Sequence, residues 1–353
     1  MWNKTRLSTL FGVEYPIIQA PMAGGPTTPE LVSEVSNEGG LGIIGAGYFT
    51  AEKLTSSIQE VKKRTNKPFG VNLFVVKEQF VSETDLRKSF ESLGPFREKL
   101  KLPDELPEIK TSLGITELID IVIHEEVPIC SFTFGIPDKE IITRLKKHNI
   151  IVVGTATTVE EAKAVEEAGM DAVVAQGSEA GGHRATFIGH SNNGLIGTMA
   201  LVPQVKDYVH IPVIASGGIM DGRGFAAASM LGAEGVQMGT AFLTTKESGA
   251  NEFHKRAVLT STEEQTVITT AFSGKAARGI NNYFIHQLTG EGVLIAPYPI
   301  QNSLTKPIRS EAMKQGDTRF MSLWSGQGSR MSENTTVKEL FGKLVSDING
   351  LLN

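Results

Sequence analysis

The sequence predicts an α/β fold: a TIM-type (β/α)8 barrel carrying a smaller, mainly helical addition. Three observations carry that expectation. Eight short apolar runs alternate with helix-length amphipathic segments between Pro16 and Met238. The runs are nearly continuous and rich in Val and Ile, as suits parallel strands buried on both faces. Glycine-rich loops follow the first, second, sixth, seventh and eighth runs. An open doubly wound sheet, the competing architecture, gathers its ligand at a single switch point, so glycines at many strand ends favour the closed barrel.

Pro16–Ala20 (PIIQA) reads as the first strand, followed by Gly24-Gly25-Pro26 and a helix from about Pro29 to Asn37. Leu41–Ala46 is the second, with a helix over Ala51–Arg64, and Phe69–Val75 the third. A helix near Ile115–Glu126 leads to the fourth strand, Pro128–Phe134, and another spans Asp138–His148. Ile150–Gly154 is the fifth, trailed by the acidic helix Thr158–Gly169. Asp171–Gln176, Pro212–Ser216 and Gly235–Met238 complete the eight. Two stretches break the rhythm: the charged, proline-bearing Lys77–Leu113, and everything after about Thr262 up to a closing helix near Thr336–Leu352. The expected division is therefore a barrel over 1–76 and 114–262, with 77–113 and 263–353 covering its substrate side.

Of 353 residues, 40% are hydrophobic and 21% charged, an ordinary balance for a chain with a sizeable core. The formal charge of −5 argues against a general nucleic-acid or anionic-membrane binder, since both favour a basic face. It leaves room for a small anionic ligand at a local basic spot. The single cysteine, Cys130, permits no internal disulfide and suits a reducing compartment. Within VPICSF it reads as a small buried strand residue rather than a nucleophile. The N-terminus lacks the apolar core of a secretion signal, and no stretch approaches the roughly 20 apolar residues of a membrane helix. A cytoplasmic monomer or homodimer is expected.

Candidate chemistry sits at the strand ends. Ser216-Gly217-Gly218 and Gln237-Met238-Gly239-Thr240 place glycine where backbone can approach an anion, each leading toward a helix N-terminus. In TIM barrels the loops after strands seven and eight frequently hold a phosphate. His183, in Gln176-Gly177-Ser178-Glu179-Ala180-Gly181-Gly182-His183-Arg184, offers an imidazole base on a flexible glycine-flanked loop. Met22-Ala23-Gly24 could present backbone and a thioether to a flat heteroaromatic ring, though an ordinary turn with a core methionine reads equally well. Asn72, inside an apolar strand, needs a hydrogen-bond partner, either a ligand or a neighbouring group. Gly45-Ala46-Gly47 imitates a dinucleotide fingerprint but lacks its third glycine and the acidic residue that would take a ribose. No Walker lysine, paired CxxC or HExxH is present, and no metal is expected.

With these loops placed, the sequence resembles the nitronate monooxygenase family, formerly called 2-nitropropane dioxygenases. PMAGGPTTPELVSEVSNEGGLGIIGAGY, GVNLF, AQGSEAGGHR and ASGGIMDGRGFAAASMLGAEGVQMGTAFL carry the resemblance, and LWSGQG extends it toward the C-terminus. The resemblance implies non-covalent FMN, held by Met22, Asn72, Gln176, Gly181, Gly218 and the Gln237–Thr240 stretch. The loop reading adds Ala23, Gly24, Gly182, Ser216 and Gly217 to that set. His183 matches the family's catalytic histidine, a base for neutral nitroalkanes. The implied reaction is oxidative denitrification of alkyl nitronates, such as propionate 3-nitronate, by dioxygen to a carbonyl compound and nitrite, in a detoxifying role. One position departs from the family: Thr133 stands where bacterial members carry a histidine in the SFxFG motif, which puts substrate preference in question. Tyr298 and Lys306 are expected to offer a hydroxyl and a cation to an anionic substrate, unless their loop is simply solvated. The alternative is an FMN-dependent NAD(P)H reductase of the quinone or enoyl-acyl carrier protein type. A flavin carrier without turnover is a third reading, and it leaves His183 without a use.

Overall fold

The structure, a computed structural model, describes residues 1–110, 114–290 and 293–352. The last three residues of the 77–113 segment, and with them its expected boundary, lie outside the described residues. The barrel strands are β1 (Ile17–Gln19), β2 (Gly42–Gly45), β3 (Phe69–Phe74), β4 (Ile129–Thr133), β5 (Ile151–Ala156) and β6 (Ala172–Gln176). A two-residue strand, β7 (Gly182–His183), stands outside the barrel, and β8 (Val213–Ser216) and β9 (Gly235–Met238) complete it. The eight pair in parallel in the order β1-β9-β8-β6-β5-β4-β3-β2. Between the two ends of that order, Ile18 bridges to Leu41, with backbone hydrogen bonds of 2.9 Å (Gln19 N to Leu41 O) and 3.0 Å (Leu41 N to Ile17 O). That contact closes the barrel and disposes of the open sheet.

Two-residue periodicity decides what each strand shows to the barrel axis. Ile18, Ile43, Ile129, Val153, Ala172, Val174 and Ile214 form one interior cluster, plugged by Leu7 and Phe11 from the helix Arg6–Phe11. Their neighbours Ile17, Ile44, Cys130, Val152, Val173, Val213 and Val236 pack outward against the helices. Two positions further along each strand the inner face turns polar: Asn72, Ser131, Thr133, Thr155, Gln176, Ser216 and Gln237. The barrel is thus oily at the N-terminal ends of its strands and hydrogen-bonding at the C-terminal ends.

A second core lies beyond the barrel. Leu93, Phe96 and Leu100 pack with Phe272, Phe284, Leu304, Ile308 and Phe320. Two short helices of the early break, Glu83–Glu91 and Gly94–Lys99, thus join the later one, which contributes helix Ile300–Gln315 and strands β10 (Thr266–Thr269) and β11 (Ala277–Ile280). These strands form an antiparallel sheet of order β10-β11-β7. The final helix, Val337–Leu352, goes elsewhere. Its Val337, Leu340, Phe341, Leu344 and Ile348 belong to the barrel's outer core, between helices Pro29–Asn37 and Gly222–Met230. That is the place of a barrel's eighth helix. Rather than covering the substrate side, this segment returns to finish the barrel, because its apolar stripe fits the gap beside β1 and β9.

Candidate active site

His183 is the centre of the constellation. Its backbone lies in β7, paired with Ala277 of β11, so the glycine-flanked loop expected to be flexible is stitched into a sheet. Gln176 pins the same segment from the barrel: its Nε2 donates to His183 O (3.2 Å), and its Oε1 accepts from Ala185 N (3.0 Å). The imidazole Nε2 is 2.8 Å from Ser273 Oγ. Three aromatic rings wall it in: Phe134 at 5.7 Å between centroids, Tyr298 at 5.7 Å and Trp324 at 5.4 Å. Burial among them, and then the positive fields of Lys275 and Arg309, push the His183 pKa down to about 3.

Both cations are held in place. Lys275 Nζ donates to Thr186 O (2.8 Å) and stands 4.8 Å from the centre of the Phe134 ring, a cation–π distance. Desolvation lowers its pKa to about 8, against the opposing pull of Glu161. That carboxylate is fully buried and caps the loop after His183, accepting from Thr157 N (2.6 Å), Phe187 N (2.5 Å) and Ile188 N (2.9 Å). Arg309 donates to Asn302 O and Oδ1 (both 2.8 Å) and to Thr305 Oγ1 (3.2 Å). Its charge bears on Tyr48 and Tyr298, whose hydroxyls are 3.3 Å apart and whose pKa values burial raises. Phe134 holds φ at +77°, strained for so bulky a residue, at the point where β4 meets the aromatic wall.

The other sequence candidates distribute as follows. Asn72, on the polar inner face, donates to Ser131 Oγ (2.9 Å) and Thr133 Oγ1 (3.1 Å), so neighbouring hydroxyls serve its amide. Ser216 and Gln237 stand next to each other in the β8–β9 register on that face. Met238 faces the opposite way: its side chain is buried in the outer core, and only its backbone reaches the strand end, where its carbonyl accepts from Ala20 N at 2.9 Å. Met22 and Ala23 form a turn tied by Met22 N to Thr27 Oγ1 (2.9 Å). The false fingerprint now has its explanation: a Cβ on Gly45 would lie 2.8 Å from Ala23 N, and one on Gly47 would lie 2.3 Å from the Phe74 ring.

Not every glycine awaits a ligand. A Cβ on Gly181 would meet Gly326 N at 2.5 Å, and one on Gly217 would meet Thr198 Oγ1 at 3.0 Å, so both serve loop packing. The Thr240 hydroxyl accepts Gly326 N–H (2.9 Å), and Gln327 N donates to Glu179 O (3.0 Å), which is how the tail motif seals the back of the site. Gly24, Gly25 and Gly182, by contrast, have positive φ and nothing within 4 Å of the absent Cβ. Gly218 has φ of +72° with only the Glu179 side chain near, and Gly239 would meet only Ala20 Cβ, at 3.6 Å. This open, glycine-lined mouth above a polar inner face suits a flat polar ring and its phosphate.

Lys306 does not join the site. It is exposed, without an ion pair or hydrogen bond among the described residues, and Arg309, three residues on, is the cation whose field reaches His183. The helical stripe of buried Thr305, Ile308 and Ala312 marks which face turns inward, but only once residues 300–315 are seen as a helix. Arg184 was also missed. Fully buried, it donates to Gly177 O (2.6 Å), Gln176 O (2.7 Å) and Gly194 O (3.0 Å), clamping the loop that carries His183.

The sequence profile of nitronate monooxygenases matches residues 4–347. The chain belongs to the nitronate monooxygenase family. A probable nitronate monooxygenase of Staphylococcus haemolyticus (strain JCSC1435) is 51% identical over 354 residues, covering 100% of this chain and 99% of that protein. Among solved structures, a nitroalkane oxidase from Streptomyces ansochromogenes superposes with a TM-score of 0.91 at 39% identity, covering 98% of both chains. FabK from Thermotoga maritima gives 0.78 at 32% identity, over 99% of this chain and 97% of that one. The nitronate monooxygenase assignment thus extends over barrel and second core alike, and it makes this protein an oxidoreductase.

Proposed function

We propose that this nitronate monooxygenase uses non-covalent FMN to oxidise alkyl nitronates with dioxygen to a carbonyl compound and nitrite, a detoxifying reaction for which propionate 3-nitronate is a representative substrate. The observation that carries the reading is His183: an imidazole kept neutral between two cations inside an aromatic wall. A neutral imidazole can take the acidic proton of a nitroalkane, and the fields of Lys275 and Arg309 favour the anion that results. A substrate that arrives ionised needs only the cations. When bound, FMN supplies the one-electron chemistry that links nitronate to dioxygen.

Gln176, Ser216, Gln237 and Asn72 would hold the flavin from the inner face, Met22–Gly24 from one rim, and Gly218 and Gly239 at the phosphate end. The open space at Gly24, Gly182 and Gly239 supports that fit. Thr133, whose hydroxyl is bonded to Asn72, and Tyr298, bonded to Tyr48, would meet the substrate. Arg309 takes the part expected of Lys306. A reducing, cytoplasmic setting belongs to the same proposal, since Cys130 is buried and has no second cysteine to pair with.

Oxygen uptake by the FMN-loaded protein with propionate 3-nitronate, beside an NADH-only control, tests the reading. Rapid uptake with nitrite release and a silent control is expected. NADH consumption with a quinone or enoyl acceptor, and no uptake with nitronate, would replace it with the reductase.

A further inference from the structure

We propose that Ser273 is a positioning residue that fixes the tautomer of His183, placing the ring proton on Nε2 and leaving Nδ1 as the proton acceptor. The inference rests on the reading of His183 as a base and adds which nitrogen does the work. It follows from counting protons around one hydroxyl. A serine hydroxyl has a single proton to donate and two lone pairs with which to accept. Ser273 Oγ lies 3.1 Å from Lys275 O, and a carbonyl oxygen can only accept, so that contact takes the serine proton. Lys275 O has no other hydrogen-bond donor among the described residues. Lys275 N–H donates back to Ser273 Oγ at 3.3 Å, filling one lone pair. The remaining lone pair faces His183 Nε2 at 2.8 Å, and a hydrogen bond there requires the proton to sit on the nitrogen.

The reverse assignment is worse on every count. If Ser273 donated to Nε2, Lys275 O would lose its partner and the proton would move to Nδ1. That nitrogen has no hydrogen-bond partner among the described residues. A buried N–H without an acceptor carries a cost of about 1–3 kcal/mol. In the favoured arrangement the unpaired atom is a bare lone pair, which is what a base awaiting a substrate proton must present.

The same hairpin secures both the ring and its backbone. β11 pairs with β7 through Ala277 and His183, while the connection from β10 to β11 supplies Ser273 and Lys275. The hydroxyl is therefore rigid relative to the imidazole it orients.

The test reads the proton directly. In protein labelled with 15N-histidine, long-range 1H–15N correlations separate the two neutral tautomers, and the His183 signals are those lost in His183→Asn. The expected wild-type pattern at neutral pH is Nε2-protonated, with Nδ1 resonating as the bare nitrogen. An Nδ1-protonated or averaged pattern would overturn the proposal. In Ser273→Ala the pattern is expected to become averaged, and Ser273→Thr should restore it. In the same variants, kcat/KM for a neutral nitroalkane divided by that for its nitronate should fall roughly 10- to 100-fold for Ser273→Ala, part of the 10²–10⁴ a general base contributes, and recover in Ser273→Thr. A ratio that stays level while the tautomer shifts refutes the positioning role. If Ser273→Ala fails to fold, the wild-type spectrum alone decides. An unchanged ratio in His183→Asn would instead sink the reading of His183 as a base, whatever the spectra show.

Discussion

The depressed pKa of His183 has a kinetic signature. A base with its usual value of 6.5 would lose activity on neutral nitroalkanes as the pH fell through that point; His183, near 3, should show no acid limb there. A limb at 6.5 in kcat/KM for nitroethane would contradict the burial that lowers it. Lys275 sets the opposite edge. As the pH rises past about 8 its amine loses charge, so KM for an anionic nitronate should climb. Lys275→Met should show that higher KM at neutral pH, by roughly tenfold, the equivalent of about 1.4 kcal/mol. It should also shift the acid limb of His183 upward, because one of the two repelling cations is gone.

At the scale of elements, the barrel strands were legible because each is a run of apolar residues between glycines, a signal that belongs to the strand itself. The polar half of the inner face was only partly legible. Asn72, Gln176, Ser216 and Gln237 drew attention singly, whereas their common face, shared with Ser131 and Thr155, follows from period two combined with strand register. β7, β10 and β11 could not be read, since strands of two to four residues persist only through the partners they meet in the fold. Helix Ile300–Gln315 was hidden by Pro307, which removes an internal hydrogen bond and reads as a breaker. Lys275, Ser273 and Arg309, the groups around His183, all sit on these unread elements. Gly45 offers a test of the turn it accommodates: Gly45→Ala places a methyl 2.8 Å from Ala23 N and should displace the Met22–Ala23 turn. The expected result is less flavin absorbance per purified protein, with the far-ultraviolet circular dichroism unchanged.

The whole molecule depends on a segment distant in sequence from what it completes. Phe341 lies so close to the strand entry that a Cβ on Gly40 would fall 2.4 Å from its ring. Phe341→Ala should therefore cost about 3–5 kcal/mol in chemical denaturation, the usual penalty for emptying a buried aromatic site. Acid will stress the fold as a whole. His254 is buried, with Nε2 bonded to Trp324 O at 2.9 Å, and its pKa falls from 6.5 to about 4. Between those values the unfolded chain holds a proton that the folded chain refuses, so stability drops as pH falls through that window. Urea midpoints measured across it should decline toward acid, and His254→Gln should flatten the slope.

The helix Val337–Leu352 is synthesised after all eight barrel strands, and after the whole second core, yet it is the piece that covers helices Pro29–Asn37 and Gly222–Met230. A polypeptide halted by premature termination anywhere between β9 and Val337 holds every strand of the barrel and still bares an apolar stripe. Chaperones and proteases recognise such surface, so incomplete translation products would identify themselves for disposal before they could bind or waste a flavin.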